Sequence, residues 1–128
     1  MSKVFIHYAV KILGVAFILA GANHFLNPSF YTKIMPDYLP AHLMLVYLSG
    51  LFEILGGLGV LIRWSQKWAG IGLILLIAAV FPANIHMALH AELYSDFPAW
   101  GLYLRLPLQF LLLGWAYLSL LDAKNKRS

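Results

Sequence analysis

The chain has 128 residues, of which 62% are hydrophobic and only 11% charged, with a formal net charge of +4 and no cysteine. A soluble domain carries about 25% charged residues, so this composition excludes an ordinary soluble domain, and the missing cysteines exclude disulfides and any dithiol mechanism carried by this chain alone. The positive charges lie at the ends of apolar runs, where they report topology and contact with anionic headgroups and give no reason to expect nucleic acid.

Spanning a bilayer takes about 20 apolar residues, and four runs of that length use nearly the whole chain. They predict an all-α fold, a bundle of four transmembrane helices over 4–26, 39–62, 67–91 and 98–121, forming one integral membrane domain across 1–128. The first run, KILGVAFILAGANHF, follows Lys3 and could be taken for a signal peptide ending at Ala20, Gly21 and Ala22. We expect it to be retained as a helix closed by His24. The connection 27–38, NPSFYTKIMPDY, contains two prolines and so is not one continuous helix. Its Phe30, Tyr31, Met35 and Tyr38 suit either a lid folded over the bundle or a loop resting on headgroups.

The second run carries Glu53, the third Asn84 and His86, and the fourth Arg105 and Gln109. An ionisable group in hydrocarbon costs about 2.5–3.5 kcal/mol on insertion scales, so its presence usually marks a site. Lys3, Arg63, Lys67, Lys124, Lys126 and Arg127 fall on the side shared by both termini, while Lys33 on the other side is balanced by Asp37, Glu92 and Asp96. The positive-inside rule then places both termini in the cytoplasm. Trp64, Trp68 and Trp115 suit the inner interface, and Tyr94, Trp100 and Tyr103 the outer one. With that orientation His24, Glu53, Asn84, His86, Arg105 and Gln109 all lie between the midplane and the outer face.

Helical spacing sharpens the expectation. Arg105 and Gln109 share one face of the fourth helix, Ser49, Glu53 and Gly57 a stripe on the second, and Gly14, Phe17, Gly21 and His24 a stripe on the first. Small residues let membrane helices approach closely, so these faces point into the bundle. A pocket with a Glu53–Arg105 pair at its centre is expected, although such a pair also serves simply to lock two helices. Pro82 and Pro107 free the carbonyls of Ala78 and Tyr103 beside the same residues, where protein or water must receive them.

Other chemistries find weaker support. His86 and His90 have the spacing of a metal pair, with Glu92 or His24 as a third ligand, but a hydrogen-bonded histidine is the simpler reading and no metal site is expected. A haem between His24 and His86 has a low prior. His7 and His42 look interfacial. The glycines Gly50, Gly56, Gly57 and Gly59 lack the lysine and hydroxyl of a phosphate loop and suit close helix packing. No serine or cysteine is paired with a histidine as nucleophile and base.

The strings GANHFLNPSFYTKIMPDYLP, SGLFEILGGLGVL, AAVFPANIHMA and RLPLQFLLLGW resemble the DoxX-like family of small four-helix membrane proteins over nearly the whole chain. The resemblance rests on His24, Phe25 and Pro28, on serine–glycine ahead of Glu53, on Pro82, Ala83 and Asn84, and on residues 105–109. It implies a fold more than an activity: the family is named from a subunit of an archaeal thiosulfate:quinone oxidoreductase, and other members are associated with quinone or redox-stress functions. A receptor-assembly chaperone is similar in kind, so the fold also serves non-enzymes. The expectation is a protein of a bacterial inner membrane that holds a lipophilic molecule, such as a quinone, among His24, Glu53, Asn84, His86, Arg105 and Gln109. Phe25 and Phe81 would supply apolar walls. No intrinsic cofactor or catalytic residue is assigned, so electrons would come from a protein partner. The alternatives are a non-catalytic assembly factor and a small transporter, for which a homodimer would be needed.

Overall fold

The computed structural model describes residues 2–33, 40–90, 92 and 99–127. Five helices are described: α1 (Lys3–Leu26), α2 (Pro28–Lys33), α3 (His42–Leu61), α4 (Gln66–Leu89) and α5 (Ala99–Arg127). All except α2 contain a stretch long and apolar enough to cross a membrane, and in α5 that stretch is Tyr103–Lys126.

Local chemistry explains several boundaries. Ser2 caps α1 by accepting from the Phe5 amide at 3.1 Å. Asn27 closes the helix, its amide bonding to the Asn23 carbonyl, and Pro28 opens α2 at a first-turn position where a missing N–H costs nothing. The connection expected over 27–38 therefore begins as a short helix, while its Met35, Asp37 and Tyr38 lie outside the described residues, as do Tyr94 and Asp96. Both internal prolines, Pro82 and Pro107, are accommodated inside continuous helices.

The four long helices form a ring. Helix α1 packs on α3 and α5, α4 packs on the same two, and α2 rests on α3 and the end of α1. The tightest approach is between α1 and α3, where Gly14 faces Gly57 and Gly21 faces Gly50. A Cβ built on Gly21 would lie 2.5 Å from the Gly50 carbonyl oxygen, and one on Gly57 would lie 2.5 Å from that of Gly14. Lipid is as apolar as leucine, so membrane helices associate through such close backbone packing and not through hydrophobic burial. The expected stripe of Gly14, Phe17, Gly21 and His24 is buried throughout. On α3 the buried residues are Val46, Gly50, Gly57 and Val60, so of the expected stripe Gly57 is buried while Ser49 and Glu53 are half-buried beside it.

Ile6, Val10, Leu13, Phe17, Val60, Leu73, Ile77 and Ala116 form the apolar core. Large apolar side chains such as Ile12, Leu19, Leu55, Leu75 and Leu111 point outward, as lipid-facing residues do. Both termini lie at one end of the bundle. Trp115 Nε1 donates to the Ala9 carbonyl at 2.7 Å, and His7 Nδ1 lies 3.4 Å from an Asp122 carboxylate oxygen.

That contact belongs to a network that extends α5 beyond its expected end at 121. Buried Asp122 accepts from Gln66 Nε2 at 2.7 Å and lies 3.3 Å from Lys126 Nζ, which also donates to Gln66 Oε1 at 2.8 Å. Gln66 Nε2 reaches the Ser119 carbonyl, and Arg63 the Lys126 carbonyl. These bonds link the polar C-terminal turns to the start of α4, so the helix continues to Arg127. His7, expected to be merely interfacial, is part of the cluster.

Candidate functional site

The opposite end of the bundle, which carries α2, holds the six residues singled out from the sequence. His24 closes α1, and because Gly21 and Gly50 bring the backbones together, its ring reaches across to α3. Its Nδ1 lies 2.9 Å from the Val46 carbonyl oxygen, and its Nε2 lies 3.0 Å from Glu53 Oε2. Tyr31 of α2 stacks on the same ring, with centroids 3.9 Å apart and planes inclined by 27°. The Tyr31 hydroxyl accepts from Asn23 Nδ2 at 2.6 Å, and Asn23 Oδ1 accepts from Asn27. Thus α2 does fold over the bundle, with Tyr31 as its covering residue.

The expected Glu53–Arg105 pair does not form. Glu53 is engaged by His24, which reaches it from the adjacent helix α1, whereas α3 and α5 are not paired directly in the ring. Arg105 instead points an Nη1 donor at the Met87 sulfur, 3.6 Å away, and lies within electrostatic reach of the Tyr31 hydroxyl. Among the described residues it makes no ion pair. A guanidinium whose side-chain acceptor is a thioether is far from saturated, since it has five N–H donors.

Asn84 and Gln109 are both buried and serve each other. Asn84 Nδ2 donates to Gln109 Oε1 at 2.5 Å, and Gln109 Nε2 donates to the Ile77 carbonyl at 2.8 Å. The carbonyl received is one residue before Ala78, the one that Pro82 releases. His86 stacks on His90, with centroids 4.4 Å apart, and the His90 ring bonds back to the His86 carbonyl. Among the described residues no group of three histidines or carboxylates is placed to hold a metal ion. The six residues therefore share one end but divide into an α1–α3 pair, an α4–α5 lock, a guanidinium facing α2 and a histidine stack.

Glu53 is the unmet member. Its Oε2 is inaccessible to solvent and receives no well-directed hydrogen bond, despite the 3.0 Å approach of His24. The Val46 carbonyl can only accept, so Nδ1 carries a proton, and Nε2 can meet Oε2 only if a further proton lies between them. Beside this pair, Phe25, Leu43, Met44, Tyr47, Leu48 and Leu51 line an apolar groove of about 490 Å³, in which Phe25 and Tyr47 stack. A second apolar groove lies between α3 and α4, around Phe52, Gly56 and Gly72. Neither groove is lined by any of the six polar residues. Phe81, expected as a pocket wall, packs edge-on against Phe110.

Sequence reasoning named Tyr31 only as a lid residue and missed its stacking on His24, the role of Asn23 and the whole Asp122 cluster. For the latter a signal existed: Ser119, Asp122 and Lys126 recur at helical spacing on one face of the last helix.

The model of one family, described as a domain of unknown function (DUF8561), matches residues 13–119. The chain belongs to that family. The matched region runs from the glycine stripe of α1 to Ser119 and so contains every residue of the α2-end cluster. No curated protein and no solved structure matches the chain.

Proposed function

We propose that this protein binds a lipophilic molecule with a hydrogen-bonding head, of which a quinone is the leading class, at the α2 end of its bundle. The observation that carries the reading is the buried Glu53 oxygen left without a directed hydrogen bond. A buried polar atom in this state costs about 1–3 kcal/mol, and a ligand donor or a shared proton removes the cost. Arg105, which among the described residues makes no ion pair, supplies a second contact for a carbonyl or anionic oxygen. Tyr31 closes over the ring of His24, and the Phe25–Tyr47 groove receives an apolar tail. His24 and Glu53 bind the head, Arg105 orients it, and Asn84 and Gln109 hold α4 against α5. His86 borders the site.

The DoxX-like resemblance supports a membrane redox or stress system as the setting, with electrons supplied by a partner. The distribution of Lys and Arg supports cytoplasmic termini in a bacterial inner membrane. The test is mass spectrometry of small molecules extracted from gently purified protein, with its absorbance spectrum. A stoichiometric lipophile lost from Glu53→Gln and His24→Ala is the expected result, and equal retention by both folded variants overturns it.

A scaffold reading, an assembly factor without a ligand, is favoured by one observation: the Asn84–Gln109–Ile77 contacts satisfy themselves. It is the outcome if the purified wild-type protein is empty.

A further inference from the structure

The geometry of His24 fixes how many protons its pair with Glu53 holds, and we propose that the pair is a one-proton carrier within the membrane. The inference deepens the binding reading for the same site, but the proton count rests on contacts inside the protein alone.

The argument is an inventory. The ring nitrogen Nδ1 lies 2.9 Å from the Val46 carbonyl, which has lone pairs and no proton, so Nδ1 is the donor. The remaining gap, 3.0 Å between Nε2 and Glu53 Oε2, is closed by a hydrogen bond when one proton lies in it. With none, two lone pairs face each other where Oε2 has no water, and the pair carries a net negative charge in the membrane. With two, either an imidazolium N–H meets a carboxyl O–H, donor against donor, or the acid proton turns away onto Oε1, and in both cases the pair is net positive in the membrane. With one, a single hydrogen bond closes the gap and the pair is neutral overall. The proton belongs either to an imidazolium beside a carboxylate or to a carboxylic acid beside a neutral ring. Both states have the same charge and the same neighbours.

Among the described residues no other charged group forms an ion pair with His24 or Glu53. Tyr31 of α2 covers one face of the ring and is held through its hydroxyl by Asn23. Arg105 of α5 faces Tyr31 and has no carboxylate partner among the described residues. Among the described residues, the titratable groups at this end include His86 and His90 of α4, stacked on each other, His42 and Tyr47 of α3, and Lys33 of α2. The apolar core of Val10, Leu13, Phe17, Val60, Leu73 and Ile77 separates the pair from the His7–Asp122–Lys126 cluster. A ligand oxygen that takes the proton leaves neutral His24 and a Glu53 carboxylate, so the ligand gains one positive charge and the pair one negative charge. A ligand that only accepts a hydrogen bond from it changes neither.

The test uses ligand-free, full-length protein in lipid nanodiscs at neutral pH. Nitrogen NMR of histidine-labelled protein, with His24 assigned by its loss in His24→Ala, reads both ring nitrogens directly. Infrared spectroscopy with labelled glutamate reads the carboxyl group. The expected result is a protonated Nδ1, together with either a protonated Nε2 and an ionised Glu53, or an Nε2 accepting from a carboxylic-acid Glu53. Glu53→Gln removes the shared proton: its amide donates to Nε2, so the ring stays neutral with Nδ1 still protonated. Wild type then releases one proton per chain more than this variant as pH is raised. An unprotonated Nδ1 overturns the inference, as does a bare Nε2 beside an ionised Glu53. The wild-type spectra decide the matter even if a variant fails to fold. Because no ligand is present, failure here leaves the lipophile test independent.

Discussion

Gly21→Ala tests the link between helix packing and the site most directly. The new Cβ would lie 2.5 Å from the Gly50 carbonyl oxygen and 3.0 Å from the Ile54 backbone nitrogen, neither of which can rotate away. An ordinary carbon–oxygen contact of this kind is about 3.3–3.6 Å, so α1 and α3 must separate by about 0.8–1.1 Å. The same shift would carry His24 Nδ1 from 2.9 Å to nearly 4 Å from the Val46 oxygen, beyond the roughly 3.2 Å limit of a good hydrogen bond. Overpacking costs about 1–3 kcal/mol and the lost bond about 1 kcal/mol, against a gain of about 1 kcal/mol in helix propensity. The net expectation is a loss of about 1–3 kcal/mol, with the Nδ1 signal of His24 displaced. Equilibrium unfolding in detergent measures the first and nitrogen NMR the second. Gly72→Ala and Gly114→Ala, whose added carbons meet nothing within 4 Å, are controls expected to show only the gain of about 1 kcal/mol in helix propensity. A Gly21→Ala protein as stable as these controls, with an unchanged His24 signal, would refute the reasoning.

Gln109→Leu should destabilise the protein by about 1–3 kcal/mol in the same unfolding assay, because it strands Asn84. The double variant Asn84→Leu/Gln109→Leu should cost less than the sum of the two singles, since it removes both partners. Asp122→Ala should cost less than the roughly 3–5 kcal/mol of breaking a fully buried pair, because Lys126 is only half-buried, and hydrogen exchange should show fraying of residues 122–127. Trp115→Phe should lose about 0.5–1.5 kcal/mol through its bond to Ala9, read as a lower unfolding midpoint. Proteoliposomes should hold a proton gradient as well as protein-free vesicles, because an apolar layer separates the two polar ends; a leak abolished by Glu53→Gln would contradict this.

The sequence by itself determined the class of the protein. Four apolar runs allow little other than membrane-length helices, because length and hydropathy are local properties. It also determined that His24, Glu53, Asn84, His86, Arg105 and Gln109 gather at one end, since depth follows from counting residues along helices of alternating direction. The stripe of Gly14, Phe17, Gly21 and His24 was legible for the same reason. Which polar group meets which was decided only by the tertiary structure. Helical spacing gives the face of each helix but not the order of helices around the ring, and that order gave Glu53 to His24 and left Arg105 against the Met87 sulfur. The reach of α5 to Arg127 was likewise decided across the bundle. Its last turns are polar in sequence, and what keeps them helical is a glutamine more than fifty residues away, Gln66, whose amide is bonded to Asp122.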